Sequence, residues 1–295
     1  MRWDESHESR DVIDRRDEGP TGAGGGIGPG NAGGLVDLAF FLLTKPHGWI
    51  IVVLGGALYL GRALLFSGAG PDATQRAQGG PVGAAGGPAE TAEVHFMSYV
   101  LDDVQTTWEK TFAQTGRPFR HAKLVLYTDS TGTGCGAGDS ATGPFYCPVD
   151  ERVYLDLGFF QELSGRLGAR GQFAQAYVLA HEVGHHVQKV LGVSGDDSRR
   201  GATGASVRFE LQADCFAGIW ARSAEDRQLL EAGDVESAIS AAQAVGDDRL
   251  QRMATGTMSP ERWTHGSSAE RARWFQRGMS EGTIASCDTF AAKTL

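Results

Sequence analysis

The chain has 295 residues, a formal net charge of −9 and a hydrophobic fraction of 41%. That length admits one good-sized domain or two small ones with an ordinary core. The acidic balance and the lack of any Lys/Arg block exclude a phosphate-backbone partner, so no nucleic acid is expected.

From Met1 to Asn31 the chain is polar and then glycine-rich, too poor in apolar surface to offset the entropy of ordering it. It is expected to be disordered, and residues 1–47 as a whole read as a cytoplasmic Gly-rich segment. Gly48 to Phe66 (GWIIVVLGGALYLGRALLF) has transmembrane length, about 28 Å as a helix against a hydrocarbon core of about 30 Å. Arg2, Arg10, Arg15, Arg16 and Lys45 precede it and only Arg76 follows closely. This asymmetry predicts a single-pass protein of the cell membrane with its N-terminus in the cytoplasm and the rest extracytoplasmic. Residues 67–90, rich in Gly, Pro and Ala, read as a flexible linker, and the folded domain is expected over 91–295.

Within that domain Val94, Val100, Leu101, Val104, Trp108 and Phe112 recur at near-helical spacing and predict a helix over 92–114. KLVLY (123–127) and RVYLDL (152–157) read as short strands flanking a Gly-rich loop. After Gly158 the pattern is mostly helical. The predicted fold class is α+β, a small β-sheet followed by a mainly helical body, preceded by a disordered N-terminus and one transmembrane helix. The four cysteines, Cys135, Cys147, Cys215 and Cys287, form no CxxC motif. Outside the cytosol they would pair, and proximity favours Cys135 with Cys147 and Cys215 with Cys287 among three possible connectivities.

The chemistry is concentrated in AYVLAHEVGHHVQKVLG (176–192), a largely apolar helix that carries three histidines and a glutamate. Buried imidazoles and carboxylates need a compensating partner, and a metal ion supplies one. His181 and His185, at i and i+4, lie about 40° apart around the axis and can meet one Zn²⁺. Glu182 lies about 100° round from His181, outside the ligand set but beside a zinc-activated water, where a general base belongs. Gly184 leaves room for close packing. A third ligand is required, and SVRFELQADCFA (206–217) supplies Glu210, with Asp214 one turn later to accept the free ring N–H of a zinc-bound histidine, His181 for preference. His186 points away and reads as a hydrogen-bonded core histidine. In THGSSAERARWF (264–275), Ser267 or Ser268 caps a helix, and His265 is a candidate donor to the oxyanion of a hydrolytic reaction.

HEVGH followed by ELQAD resembles the bacterial family of neutral zinc metallopeptidases. SATGPFYCPVDERVYLDLGFF, FAQAYVLAHEVGHHVQ, GDDRLQRM and THGSSAERARWF extend the similarity over most of residues 92–290. The helix pair is also similar to the wider gluzincin class. The resemblance implies a zincin-like domain with zinc on His181, His185 and Glu210, Glu182 catalytic, and a protein or peptide substrate. Two other readings have distinct signatures. In a deformylase-type zinc amidase, Cys135 or Cys147 would complete the metal site. A membrane-tethered zinc-binding assembly factor would have no use for Glu182.

Overall fold

The structure, a computed structural model, describes residues 1–18, 88–193 and 200–295. Strand β1 (Val12–Asp14) precedes helix α1 (Pro88–Ala113), which is followed by β2 (Lys123–Tyr127) and a hairpin of β3 (Ser130–Thr133) and β4 (Gly136–Asp139). Next come β5 (Phe145–Cys147) and β6 (Arg152–Asp156). Helices α2 (Gly158–Gly165), α3 (Gln172–Leu191), α4 (Ala205–Asp226), α5 (Asp234–Ala244), α6 (Asp247–Thr255) and α7 (Ser268–Glu281) follow in turn.

The main sheet has the order β1-β2-β6-β5, with β1, β2 and β6 parallel and β5 antiparallel at the edge. Side chains alternate between two buried faces. Leu124, Leu126, Val153 and Leu155 enter the main core, while Val125, Tyr127, Tyr154 and Cys147 form a smaller cluster on the other side. Cover on both faces explains why β2 and β6 read as nearly continuous apolar runs. Helix α1 turns Phe96, Val100, Val104 and Trp108 into the main core and packs on α3 and α4.

The three helices around the site approach one another closely. A Cβ at Gly184 on α3 would sit 3.0 Å from the Ala213 carbonyl oxygen on α4, so glycine sets this helix spacing. Between α4 and α7, Gly218 and Gly278 each face opposing backbone at a distance that no side chain fits. The cysteines pair as proximity favours: Cys135–Cys147 joins the hairpin to β5, and Cys215–Cys287 joins α4 to the turn at Ile284–Cys287.

The N-terminal expectations are corrected. Residues 1–18 are built into the body: Val12, Ile13 and Asp14 pair with Leu124, Val125 and Leu126. Trp3 sits edge-on to Phe96, and Asp11 meets both His121 and Lys123. These polar residues find partners on α1 and β2, a gain that composition does not register. The transmembrane helix expected over 48–66 lies outside the described residues, and among those described no helix is long and apolar enough to cross a membrane. Because β1 shares a sheet with β2, residues 1–18 belong to the same body as the other described residues. The α+β class stands for the described body, with α1 between β1 and β2 and the other six α-helices after the sheet.

Candidate metal centre

The apolar residues of α3 bury the helix on nearly all sides and leave one strip facing a cavity of about 960 Å³. His181, Glu182 and His185 line it, with Glu210 of α4 opposite and His265 on the loop before α7. His181 Nε2 lies 3.2 Å from Glu210 Oε2, and His185 Nε2 lies 3.6 Å from Glu210 Oε1. One donor atom from each of the three residues falls within 4.8 Å of the other two. Tetrahedral ligands about 2.1 Å from a zinc ion stand about 3.4 Å apart. The two imidazoles and one carboxylate therefore fit zinc in both spacing and donor type.

Each histidine is fixed through its other nitrogen. His181 Nδ1 donates to Asp214 Oδ1 at 2.8 Å, leaving Nε2 as the free donor atom. Asp214 also accepts the Tyr177 hydroxyl at 2.5 Å and two bonds from Arg271, Nε at 2.8 Å and Nη2 at 2.9 Å. Burial works against Asp214's ionisation, but Arg271 and then His181 outweigh it and hold the carboxyl at about 2. His185 Nδ1 faces Gln188 Oε1 at 2.8 Å, and Gln188 Nε2 in turn donates to the Phe209 carbonyl at 2.7 Å and to Gln212 Oε1 at 3.1 Å.

The two cavity carboxylates are pushed in opposite directions. Burial opposes the charge on Glu210, yet His185 and His181 beside it hold its carboxyl well below the usual range. Burial raises Glu182, and the same imidazoles only partly offset it. Environments that separate two acids in this way suit one as a ligand and the other as a proton carrier. Among the described residues none hydrogen-bonds the Glu182 side chain.

His265 is half-exposed at the cavity wall, its Nδ1 2.9 Å from the Thr264 hydroxyl and 3.5 Å from Asp247 Oδ1. Asp247, at the start of α6, accepts the backbone N–H groups of Thr264, His265 and Gly266 at 2.7, 2.7 and 3.0 Å, so it holds the loop that presents His265. Ser267 caps α7 with a full capping box to Glu270. His186 donates Nε2 to the Arg120 carbonyl at 2.6 Å and accepts the Tyr146 hydroxyl at 2.9 Å, a core histidine on the far side of α3. Cys135 and Cys147 are bonded to each other and supply no thiolate to the cluster.

Four residues around the centre escape a reading of the sequence: Arg271, Tyr177, Gln188 and Asp247. A signal existed for two of them. Arg271 sits in the first turn of α7, where the helix dipole disfavours a cation, and a buried Tyr177 hydroxyl needs an acceptor.

A family model described as putative neutral zinc metallopeptidase matches residues 1–290. The chain is 43% identical over 300 residues to the uncharacterized protein YpfJ of Escherichia coli (strain K12), covering 98% of this chain and 99% of that protein. It is 44% identical over 207 residues to the uncharacterized protein Rv2575 of Mycobacterium tuberculosis (strain ATCC 25618 / H37Rv), covering 66% of this chain and 69% of that one. No solved structure matches. With a paired-histidine and glutamate centre suited to zinc and a family match over nearly the whole chain, the protein belongs to the putative neutral zinc metallopeptidase family.

Proposed function

We propose that the protein is a zinc-dependent endopeptidase, with His181, His185 and Glu210 as metal ligands, Glu182 as general base and acid, and His265 as oxyanion donor. The observation that carries this reading is Glu182: a buried carboxyl group lining the same cavity as the three donors, with no hydrogen bond from any described residue to occupy it. A purely structural zinc site has no use for such a group. When bound, zinc supplies Lewis acidity toward a carbonyl and a water. Glu182 takes the proton of the attacking water and returns it to the departing amine nitrogen. His265, whose Nδ1 faces Thr264 and Asp247, keeps Nε2 for the developing oxyanion. Asp214 keeps the proton of His181 on Nδ1 and so keeps Nε2 turned to the metal. Phe145 and Tyr146 of the edge strand β5 line the same cavity. An extended peptide can lie there as an added strand, which favours a peptide over a small amide as substrate.

The test is Glu182→Gln with zinc measured on the same sample. Zinc stays bound and turnover of a peptide pool falls by about 10² to 10⁴. Unchanged cleavage by the zinc-loaded variant ends the mechanism. His265→Ala keeps the metal and lowers turnover by about 10² to 10³, and an equal loss of zinc would move His265 into a structural role. The two disulfides support a working place in an oxidising, extracytoplasmic compartment. Labelling of free thiols in the native protein isolated from cells finds none, whereas four reactive cysteines would place the domain in a reducing one.

A further inference from the structure

Beyond the metal cluster, toward the N-terminal end of α3, the cavity wall changes from polar to apolar. Val178 stands one turn before His181 and Glu182 and lines the cavity on their side. Val245 is tied to the centre through Arg271, whose Nη1 donates to the Val245 carbonyl at 3.4 Å while another nitrogen of that guanidinium lies 3.3 Å from His181 Nδ1. Arg249, which directly precedes Leu250 on α6, donates Nη2 to the Leu167 carbonyl at 2.7 Å and so ties α6 to the segment that carries Leu167. All four side chains line the cavity, and each belongs to the main core or packs against it. Of the charged residues directly before Leu167 and Leu250, Arg166 pairs with Glu162 through Nε to Oε1 at 2.8 Å and Arg249 is held on the Leu167 carbonyl. The other end, past His185, is different in character. There Phe209 lies flat on the His185 ring, 5.1 Å between centroids, and the Lys189 ammonium is occupied by the Pro148 carbonyl.

We propose that Leu167, Val178, Val245 and Leu250 form a specificity subsite that takes one large aliphatic or aromatic side chain of the substrate beside the scissile bond. This rests on the peptidase reading above. An apolar side chain entering this wall leaves water for an apolar surface, a gain of about 10- to 150-fold for Leu over Ala. A Lys or Asp side chain at the same place loses hydration and finds no partner, so the site selects against charge as well as for bulk. Leu250 is the residue to vary, since it is half-buried on the short helix α6 and packs against the core without being one of its buried members.

The experiment uses the full chain, zinc-loaded, on blocked peptides randomised at two adjacent central positions, with the cut sites mapped by mass spectrometry. Leu, Ile, Met and Phe are enriched on one side of the cleaved bond by at least 10-fold over Ala and Lys. Leu250→Asp reduces the Leu-over-Lys ratio by at least 10-fold at unchanged zinc content, and Leu250→Met retains it. Cleavage without side-chain preference, or an unaltered preference in Leu250→Asp, overturns the subsite and leaves the peptidase reading intact. If the wild type cleaves nothing, the peptidase reading falls and fluorescence anisotropy decides the subsite, using the Glu182→Gln full chain with otherwise identical Leu- and Ala-containing peptides. Binding of the Leu peptide at least 10-fold tighter supports it, and equal binding overturns it.

Discussion

His181 and His185 stand one helical turn apart and present their Nε2 atoms to the same carboxylate, yet opposite chemistry holds them. Behind His181 is a buried ionic knot, in which Asp214 accepts from the imidazole, the Tyr177 hydroxyl and two nitrogens of Arg271. Behind His185 is a chain of neutral amides, Gln188 to Gln212 and on to the Cys287 carbonyl at 3.0 Å. Both arrangements fix a tautomer. They differ in what breaking them leaves behind. Removing one member of the knot strands a buried charge, whereas removing an amide strands only a neutral dipole.

The comparison is tested most severely at Arg271, the only arginine or lysine in direct contact with Asp214 among the described residues. Arg271→Met leaves the carboxylate with two weaker donors in a fully enclosed place and is expected to cost about 3–5 kcal/mol. Urea unfolding of the metal-free chain measures it. A loss below about 1 kcal/mol, the scale of one neutral hydrogen bond, would erase the distinction between the two sides.

Asp214→Asn is the next step down, because the amide retains a hydrogen-bond acceptor while giving up the charge. Zinc affinity falls by about 10- to 100-fold, read by competition with a chelator. The pH dependence follows from the depressed carboxyl. Asp214 titrates near 3.8 when unfolded and at about 2 when folded, so its contribution to stability is complete above the higher value and lost as pH falls through the lower. The stability gap between wild type and Asp214→Asn in the metal-free chain is therefore level from about pH 4 to about pH 6.5 and closes toward about pH 2. It also narrows as pH rises toward about 10, where His181, held up against burial by Asp214, loses its charge. A gap that closes between about pH 4 and about pH 6 would show that Asp214 is not the ionised acceptor.

Local features were legible in the sequence and distant ones were not, and the centre divides along that line. His181, Glu182 and His185 lie within one helical turn, and Glu210 and Asp214 within another, so periodicity alone brings their side chains together. The closeness of α3 to α4 was foreshadowed by Gly184, a residue without a side chain in the middle of a buried helix. Arg271 comes from a region more than eighty positions beyond His181, and nothing short of the folded packing at Gly218 and Gly278 says how near α7 comes to α4. His265, from the same region, is a candidate from the sequence by its residue type alone. The N-terminal strand was invisible for another reason. Three residues are too few for a period, and the polar neighbours that suggested disorder are held by partners on α1 and β2. Edge strand β5, equally short, was read as part of a Gly-rich loop for the same cause.

The smallest expected effect is on the neutral side. Gln188→Met keeps the volume and the apolar stem but removes the oxygen that accepts from His185 Nδ1 and the amide that donates to Phe209 and Gln212. The imidazole N–H and two acceptors lose a neutral partner, at a cost of about 1–3 kcal/mol. No ionised group is stranded, because the residues on this side, Gln188 and Gln212, carry no charge. Zinc affinity is expected to fall by less than the tenfold that marks the lower bound for Asp214→Asn. The two networks share no side chain, so in the metal-free chain the double variant Gln188→Met with Asp214→Asn adds to within about 0.5 kcal/mol. A coupling well above that would mean that α3 and α4 transmit strain between the histidines, and that the two supports behave as one unit after all.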